Sequence, residues 1–210
     1  MSSSLQRRLG SLTPAEVSRL DAAVVGLGVD IAQLMEVAGF QVARYLSAWG
    51  CAVSAGVLSE RDGLDALMQQ QFLAAKGAGV AVRVSARPAA VVQGIDGAGL
   101  VVDALLGTGL HEAPREAHSE VIAAIQGTVL SIDVPSGLDA ATGTAPGVAV
   151  RATVTCTLAA MKRGLWTAPA RAYTGEIVVA DIGMPEAAFA KCGLAAPSSL
   201  RGGRLITLRR

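Results

Sequence analysis

Cysteine, histidine and aromatic side chains are all scarce in this chain, and each scarcity removes a class of chemistry. Cys51, Cys156 and Cys192 are odd in number, widely spaced and free of any CxxC pairing. That pattern excludes a disulfide framework and a thiolate metal cluster, and it fits a reducing cytosol. The two histidines, His111 and His118, adjoin no apolar strand end, so a Ser-His-acid triad lacks its base. Charge of either sign is not in excess: 18 basic and 17 acidic residues leave a net +1, which provides no global field for nucleic acid or an anionic membrane. Arg7-Arg8 and Arg201, Arg204, Arg209-Arg210 are the only basic concentration, and they read as solvated ends. No apolar run is as long as a membrane span, and no leader pattern opens the chain. A soluble, cytoplasmic protein with neither a nucleic-acid nor a membrane partner is expected.

What the chain has is apolar mass and punctuation. With 210 residues and 51% hydrophobic content it can bury a substantial core, and residues 1–210 are expected to form a single domain. Thr13, Pro14 and Glu16 form a capping-box signature that opens a helix over 13–25. A second amphipathic helix is predicted over 31–49, with Leu34, Met35, Ala38, Val42 and Leu46 on one face. These two helices either cover a sheet or form a dimer surface. Short apolar segments then alternate with helical ones: strand 51–55, helix 64–75, strand 79–84, an unpatterned stretch 85–99 with a short strand near 90–92, strand 100–106, helix 115–126, strand 129–133 and strand 152–158. The segment 175–185 reads as a final edge strand. Strands alternating with helices define an α/β fold with an open, largely parallel sheet, in which ligands bind at the carboxyl ends of the strands.

Two segments place chemistry at such ends. Val101 to Leu110 and Ser131 to Gly143 are each an apolar run that meets an acid and then a glycine-rich turn. Asp103 lies inside a continuously apolar run, where a carboxylate is expensive unless it is hydrogen-bonded or bound to a cation. Gly107-Thr108-Gly109 follows, a tight turn whose N–H groups suit a phosphate and whose carbonyls suit a cation. Asp133 ends the next strand, and Pro135 with Gly137 would hold it in a fixed relation to Ser136. Two acids and a hydroxyl on neighbouring strand ends either bind a cation or act as a general acid/base with its orienting shell. The plainer alternative for Asp133 is a carboxylate that caps its own turn. Lys162, after the strand 152–158, either neutralises a phosphate or is a solvated strand-end charge. The turn 56–63 occupies the place of a phosphate loop, but its glycines, Gly56 and Gly63, stand only at its ends. An ordinary connection is the competing reading.

Taken together, these residues resemble the NAD(P)H-hydrate epimerases, the YjeF N-terminal domain family. The resemblance runs through Leu12-Thr-Pro-Ala-Glu16 with Leu20-Asp21, Leu34 to Gly39, Val102 to Leu110, Ser131 to Asp139 with Thr142-Gly143, Thr153 to Thr155, Lys162, Gly164-Leu165, and Gly175 through Asp181 to Pro185. It implies a three-layer Rossmann-like fold, a homodimer, and interconversion of the R and S forms of hydrated NADH and NADPH (NADHX and NADPHX), coupled to an ADP- or ATP-dependent NAD(P)H-hydrate dehydratase. It also implies a potassium ion held by Asp103 and Ser136, with Asp133 as the acid/base in contact with substrate. Gly107, Thr108, Gly109, Leu110, His111 and Arg115 would line the substrate, joined by Lys162 and by Gly56, Asp62 and Gly63. Of the family's GxGNNGGDG loop only those last three positions remain, and Glu60 adds negative charge beside the expected diphosphate. A catalytically silent relative, acting as a dimeric binding or structural protein, is the alternative. Asp133→Ala is expected to abolish turnover with little effect on folding.

Overall fold

A computed structural model of the chain describes residues 11–29, 54–60, 63–77, 80–197 and 205–208. The predicted helix 31–49, Asp62 and the arginines at both ends lie outside them. Among the described residues the elements in order are α1 (Pro14–Val25), β1 (Ser54–Leu58), α2 (Ala66–Gly77), β2 (Ala81–Ser85), α3 (Pro88–Val92), β3 (Val101–Asp103), α4 (Glu116–Ala124), β4 (Val129–Ile132) and β5 (Val154–Leu158). A 3-10 turn over Arg163–Trp166 then leads to α5 (Arg171–Thr174), β6 (Glu176–Ala180), α6 (Glu186–Lys191) and β7 (Leu205–Leu208).

β1 and β2 form a parallel pair, while β3-β4-β5-β6-β7 form a five-stranded sheet that is parallel except for the antiparallel β6-β7 contact. Strand β6 shows why this is a layered α/β fold. Its Ile177 and Val179 enter one core with Leu138, Met161 and Leu165, and its Val178 and Ala180 enter another with Leu130 and Cys156. A strand buried on both faces is what helices or loops on each side of a parallel sheet require. Rossmann-like three-layer architecture follows, as the sequence predicts.

Several expectations need correction. The pattern around 90–92 is helical: Pro88 occupies the first turn of α3, where its fixed φ is favourable. Strand β3 is only three residues long, because the Leu105 N–H turns back to Asp103 Oδ1 at 3.4 Å, and Val102 is exposed rather than buried. The segment 175–185 is not an edge. Its strand β6 lies between β5 and β7, and the apolar residues Leu205, Ile206 and Leu208 form part of the added strand. Gly56 lies within β1 rather than in a turn, where Val91 Cγ1 would be 3.2 Å from an added Cβ. Close packing of α3 on β1 therefore accounts for this glycine, as the small side chain admits the helix.

At the amino end, α1 begins as predicted. The Thr13 N–H donates to Glu16 Oε2 at 2.7 Å and the Glu16 N–H donates to Thr13 Oγ1 at 3.3 Å, closing the capping box. Leu20 and Val24 on its inner face pack with Ala188 and Phe189 of α6. Before the helix, Leu12 runs beside Lys162, with the Leu12 N–H bonded to Met161 O at 2.7 Å and the Arg163 N–H bonded to Leu12 O at 2.8 Å. This bridge fixes α1 over the carboxyl end of the large sheet.

Candidate active site

The carboxyl ends of β3, β4 and β5 carry two separate polar arrangements. In the first, Asp103 is 1% exposed and its carboxylate is saturated by protein donors. Oδ2 accepts from Ser131 Oγ at 2.7 Å and from the Ser136 N–H at 2.8 Å, and Oδ1 accepts from Ser136 Oγ at 2.5 Å and from the Leu105 N–H. Ser136 Oγ also accepts from the Leu106 N–H at 2.9 Å and lies 3.4 Å from Leu106 O. A buried charge without a cationic neighbour is tolerated when several donors converge on it, so this network explains the acid inside an apolar strand. Asp103, Ser136 and the Leu106 carbonyl form an all-oxygen donor set, which suits a hard cation. Such an ion fits if the Ser136 hydroxyl turns its proton from Asp103 to Leu106 O. Hard cations of calcium's size take six to eight oxygens, so the remaining ligands would be water or substrate.

The second arrangement centres on Asp133. Its backbone N–H donates to Cys156 O at 2.7 Å, and the Val134 N–H reaches back to Ile132 O at 2.8 Å. With φ of 67° at Asp133, that bond closes a γ-turn of the rarer, strained kind. A matching turn lies at the end of β5, where Ala159 has φ of 62° and the Ala160 N–H bonds to Leu158 O at 2.7 Å. Strain of this kind is retained where it positions functional groups.

The two turns bring Leu158 and Asp133 to either side of one ammonium. Lys162 Nζ donates to Asp133 Oδ1 and to Leu158 O at 2.6 Å, and the Leu158 N–H donates to Asp133 Oδ1 at 3.3 Å. The Lys162 side chain is 3% exposed and that of Asp133 is 21% exposed. Lys162 is thus not a solvated strand-end charge: its ammonium is paired with Asp133 and its side chain lines a cavity. No hydrogen bond to Asp133 Oδ2 is found among the described residues. That oxygen lies 3.9 Å from where a Cβ on Gly107 would be, so the missing side chain at Gly107 leaves room beside it.

A cavity of about 170 Å³ opens at this pair, lined by Leu12, Leu20, Asp21, Thr108, Asp133 and Lys162 among others. It is large enough for a substituted six-membered ring and too small for a dinucleotide. From its rim, Gly107, Thr108, Gly109, Leu110 and His111 lead toward Arg115, the residue that precedes α4. His111 Nδ1 lies 3.6 Å from Asp139 Oδ2, while Gly109 faces open space. Gly63 lies outside this cavity, as does Gly56 within β1. Cys156 lies next to the pair, but burial pushes its thiol up to about 11, and it is a poor nucleophile.

Sequence reasoning missed Asp21. Burial raises its pKa, the Lys162 charge lowers it and the Asp133 charge raises it, so it belongs electrostatically to the same cavity. The amphipathic pattern around Leu20 and Asp21 marks a helix but carries no signal that singles out Asp21 as a site residue.

These features define an α/β protein with a cavity at the carboxyl ends of parallel strands. The chain belongs to the YjeF-related protein N-terminus family, which matches residues 37–164. A bifunctional NAD(P)H-hydrate repair enzyme of Thermofilum pendens is 33% identical over 183 residues, 82% of this chain and 35% of that protein. An NAD(P)H-hydrate epimerase of Pirellula staleyi is 48% identical over 90 residues, 41% of this chain and 40% of that protein. The matches thus span well under half of these curated relatives. The crystal structure of yeast YNL200c superposes with a TM-score of 0.74 at 17% identity, covering 95% of this chain and 100% of the yeast one, which establishes the shared fold. Among the described residues, no helix is long and apolar enough to cross a membrane.

Proposed function

We propose that this protein epimerises the R and S forms of hydrated NADH and NADPH at C6 of the nicotinamide ring. The observation that carries the reading is the half-anchored carboxylate of Asp133: Oδ1 is tied to Lys162 and the Leu158 N–H, while Oδ2 accepts no hydrogen bond among the described residues and faces a ring-sized cavity. A general acid/base needs this combination of fixed position and one available oxygen. Asp133 Oδ2, once it has taken up a proton from solvent, delivers it to the C6 hydroxyl, the C–O bond breaks, and water departs. The lone pair of the ring nitrogen then forms a C=N bond that stabilises the cation. Water returning to C6 gives up a proton to a carboxylate and restores the substrate in either configuration. Lys162 orients Asp133 and offsets its negative charge.

The substrate's diphosphate runs outward along Gly107 to His111 toward Arg115 and the amino end of α4, where backbone N–H groups favour anions. Potassium would be held by Asp103, Ser136 and the Leu106 carbonyl, and it supplies fixed positive charge near the anionic part of the substrate. We expect a cytoplasmic homodimer working with an ADP- or ATP-dependent NAD(P)H-hydrate dehydratase, an activity in keeping with the names of the bifunctional relatives. The silent-relative reading draws on the 56–63 segment, where Gly56 serves helix packing and Glu60 is exposed. One assay separates the two: interconversion of purified R and S NADHX followed by NMR, with and without potassium. Equilibration far above the spontaneous rate, with exchange of the C6 oxygen into labelled water, is the expected result. A folded protein that gives no acceleration overturns the epimerase reading, and retention of the original oxygen during epimerisation overturns the route.

A further inference from the structure

Asp133 and Lys162 account for proton transfer on one side of a bound ring, yet inversion at a carbon by loss and return of water needs proton transfer on both. The group that reaches a face when water leaves cannot also serve the opposite face when water returns. Something else must line the cavity. Among its lining residues, Asp21 is the remaining ionisable side chain.

Asp21 is brought there by the Leu12 bridge to Met161 and Arg163 and by the anchoring of Leu20 and Val24 in the core beside α6. With Leu20 facing inward, the next position along α1 is turned to the cavity's edge. Asp21 is half-buried, and no hydrogen bond or ion pair to it is found among the described residues. It nevertheless feels both members of the pair, with the Lys162 charge favouring its ionised form and the Asp133 charge opposing it. A half-buried carboxyl group that gains no hydrogen bond or ion pair from the described residues around it is a cost to folding. An apolar or amide side chain would fill this place on the helix more cheaply.

We propose that Asp21 is the second acid/base of the site, serving the face of the bound ring opposite to Asp133. This rests on the epimerase reading and deepens it. From one epimer, Asp133 protonates the C6 hydroxyl, which leaves as water, and Asp21 takes a proton from the water that adds to the other face. From the other epimer the roles exchange. Each full cycle returns both carboxyl groups to their starting state once they re-equilibrate with solvent, and nothing is oxidised or reduced.

The test compares wild type with Asp21→Asn and Asp21→Ala by following two quantities together: inversion at C6, and incorporation of ¹⁸O from labelled water. General acid/base groups contribute about 10²- to 10⁴-fold, so inversion by Asp21→Asn should fall at least a hundredfold while KM changes little. The epimer whose hydroxyl faces Asp133 should continue to exchange its oxygen, now with retention of configuration, and the other should neither exchange nor invert. A role confined to holding α1 in place would lower exchange and inversion by the same factor, and that outcome overturns the proposal. So does an Asp21→Asn enzyme that inverts at the wild-type rate. Absence of any turnover in wild type overturns the epimerase reading itself, a result distinct from both.

Discussion

Lys162 and Asp133 form a buried ion pair whose removal in halves and as a whole gives different costs. Lys162→Met takes away a cation that is 3% exposed and leaves Asp133, 21% exposed, with the Leu158 N–H at 3.3 Å as the one remaining donor to its side chain among the described residues. It also leaves the Leu158 carbonyl without its 2.6 Å donor. Removing one partner of a buried pair costs about 3–5 kcal/mol. The partial exposure of Asp133 lets water recover some of this, so about 3 kcal/mol is expected. Asp133→Asn keeps the shape and tolerates the positive φ, but strands the ammonium of Lys162, at about 3–4 kcal/mol. Asp133→Ala should cost about a further 1 kcal/mol, because alanine resists the left-handed conformation. The sequence-based expectation that Asp133→Ala spares folding is therefore replaced by one of marked destabilisation. For a domain of this size each kcal/mol lowers Tm by roughly 2–4 °C, which puts Lys162→Met about 6–12 °C below wild type, Asp133→Asn about 6–16 °C and Asp133→Ala about 8–20 °C. The double variant Lys162→Met/Asp133→Asn has no unpaired charge left to bury, and it should recover about 2–3 kcal/mol of the summed cost. Urea unfolding of all four proteins measures this coupling. Additive costs, or single variants within about 1 kcal/mol of wild type, would refute the argument that the pair is desolvated and mutually dependent.

Three further outcomes follow from local geometry. Glu16→Ala removes the capping box and should cost about 1 kcal/mol near neutral pH. The Thr13 N–H, followed by its hydroxyl, holds the Glu16 carboxyl below its ordinary 4.5, so this stabilisation is full above 4.5 and is lost as pH falls through the lower folded-state value; a Tm gap that widens in acid would contradict it. Gly137→Ala, with φ of 94° and an added Cβ only 2.1 Å from Val148 O, should destabilise by more than about 2 kcal/mol by chemical denaturation, and an unaffected midpoint would show that the turn adapts. Replacing sodium by potassium should raise the Tm of wild type and not of Ser136→Ala, and equal melting of wild type in the two salts removes the cation from Asp103 and Ser136.

The sequence was most legible where one residue type has one physical solution. Thr13-Pro14-Glu16 can hardly be anything but a helix start, and Asp103 in an apolar run had to be hydrogen-bonded or ion-bound. The structure supplies the first of these, through Ser131, Ser136 and the Leu105 N–H. Asp133 was legible as a strand-end acid, but its partner was not. Lys162 is 29 residues away, and its contact depends on two γ-turns that no propensity encodes, one of them centred on an alanine. The same holds for Asp21, which becomes part of the cavity only because Leu12 runs beside Lys162. The reading of 85–99 failed for a different reason. Apolar residues in a window as short as Ala89 to Val92 have no measurable period, and Pro88 decides the matter by favouring a first helical turn.

Those non-local features share a thermodynamic sign, and it leads to a last prediction. A half-buried acid with no donor among the described residues, two strained turns and a desolvated ammonium each lower stability, and they meet around a single cavity. Residues retained for a reaction often have this character, with stability given up for reactivity. Asp21 isolates the effect because no hydrogen bond or ion pair among the described residues holds its carboxyl group. Burial raises its pKa above the ordinary aspartate value of 3.8, so the native state binds its proton more tightly than the unfolded chain does. The sign follows: its presence is neutral to stability below 3.8, becomes destabilising as pH rises through the interval up to the raised native value, and is most destabilising above it. Asp21→Asn keeps the size of the side chain and removes this charge. It should therefore melt with wild type near pH 3 and above wild type at pH 7, while turning over substrate more slowly. Matched thermal melts at the two pH values measure the difference. A variant that is less stable than wild type at pH 7 would mean that Asp21 is a structural acid, held by contacts that outweigh the cost of its burial.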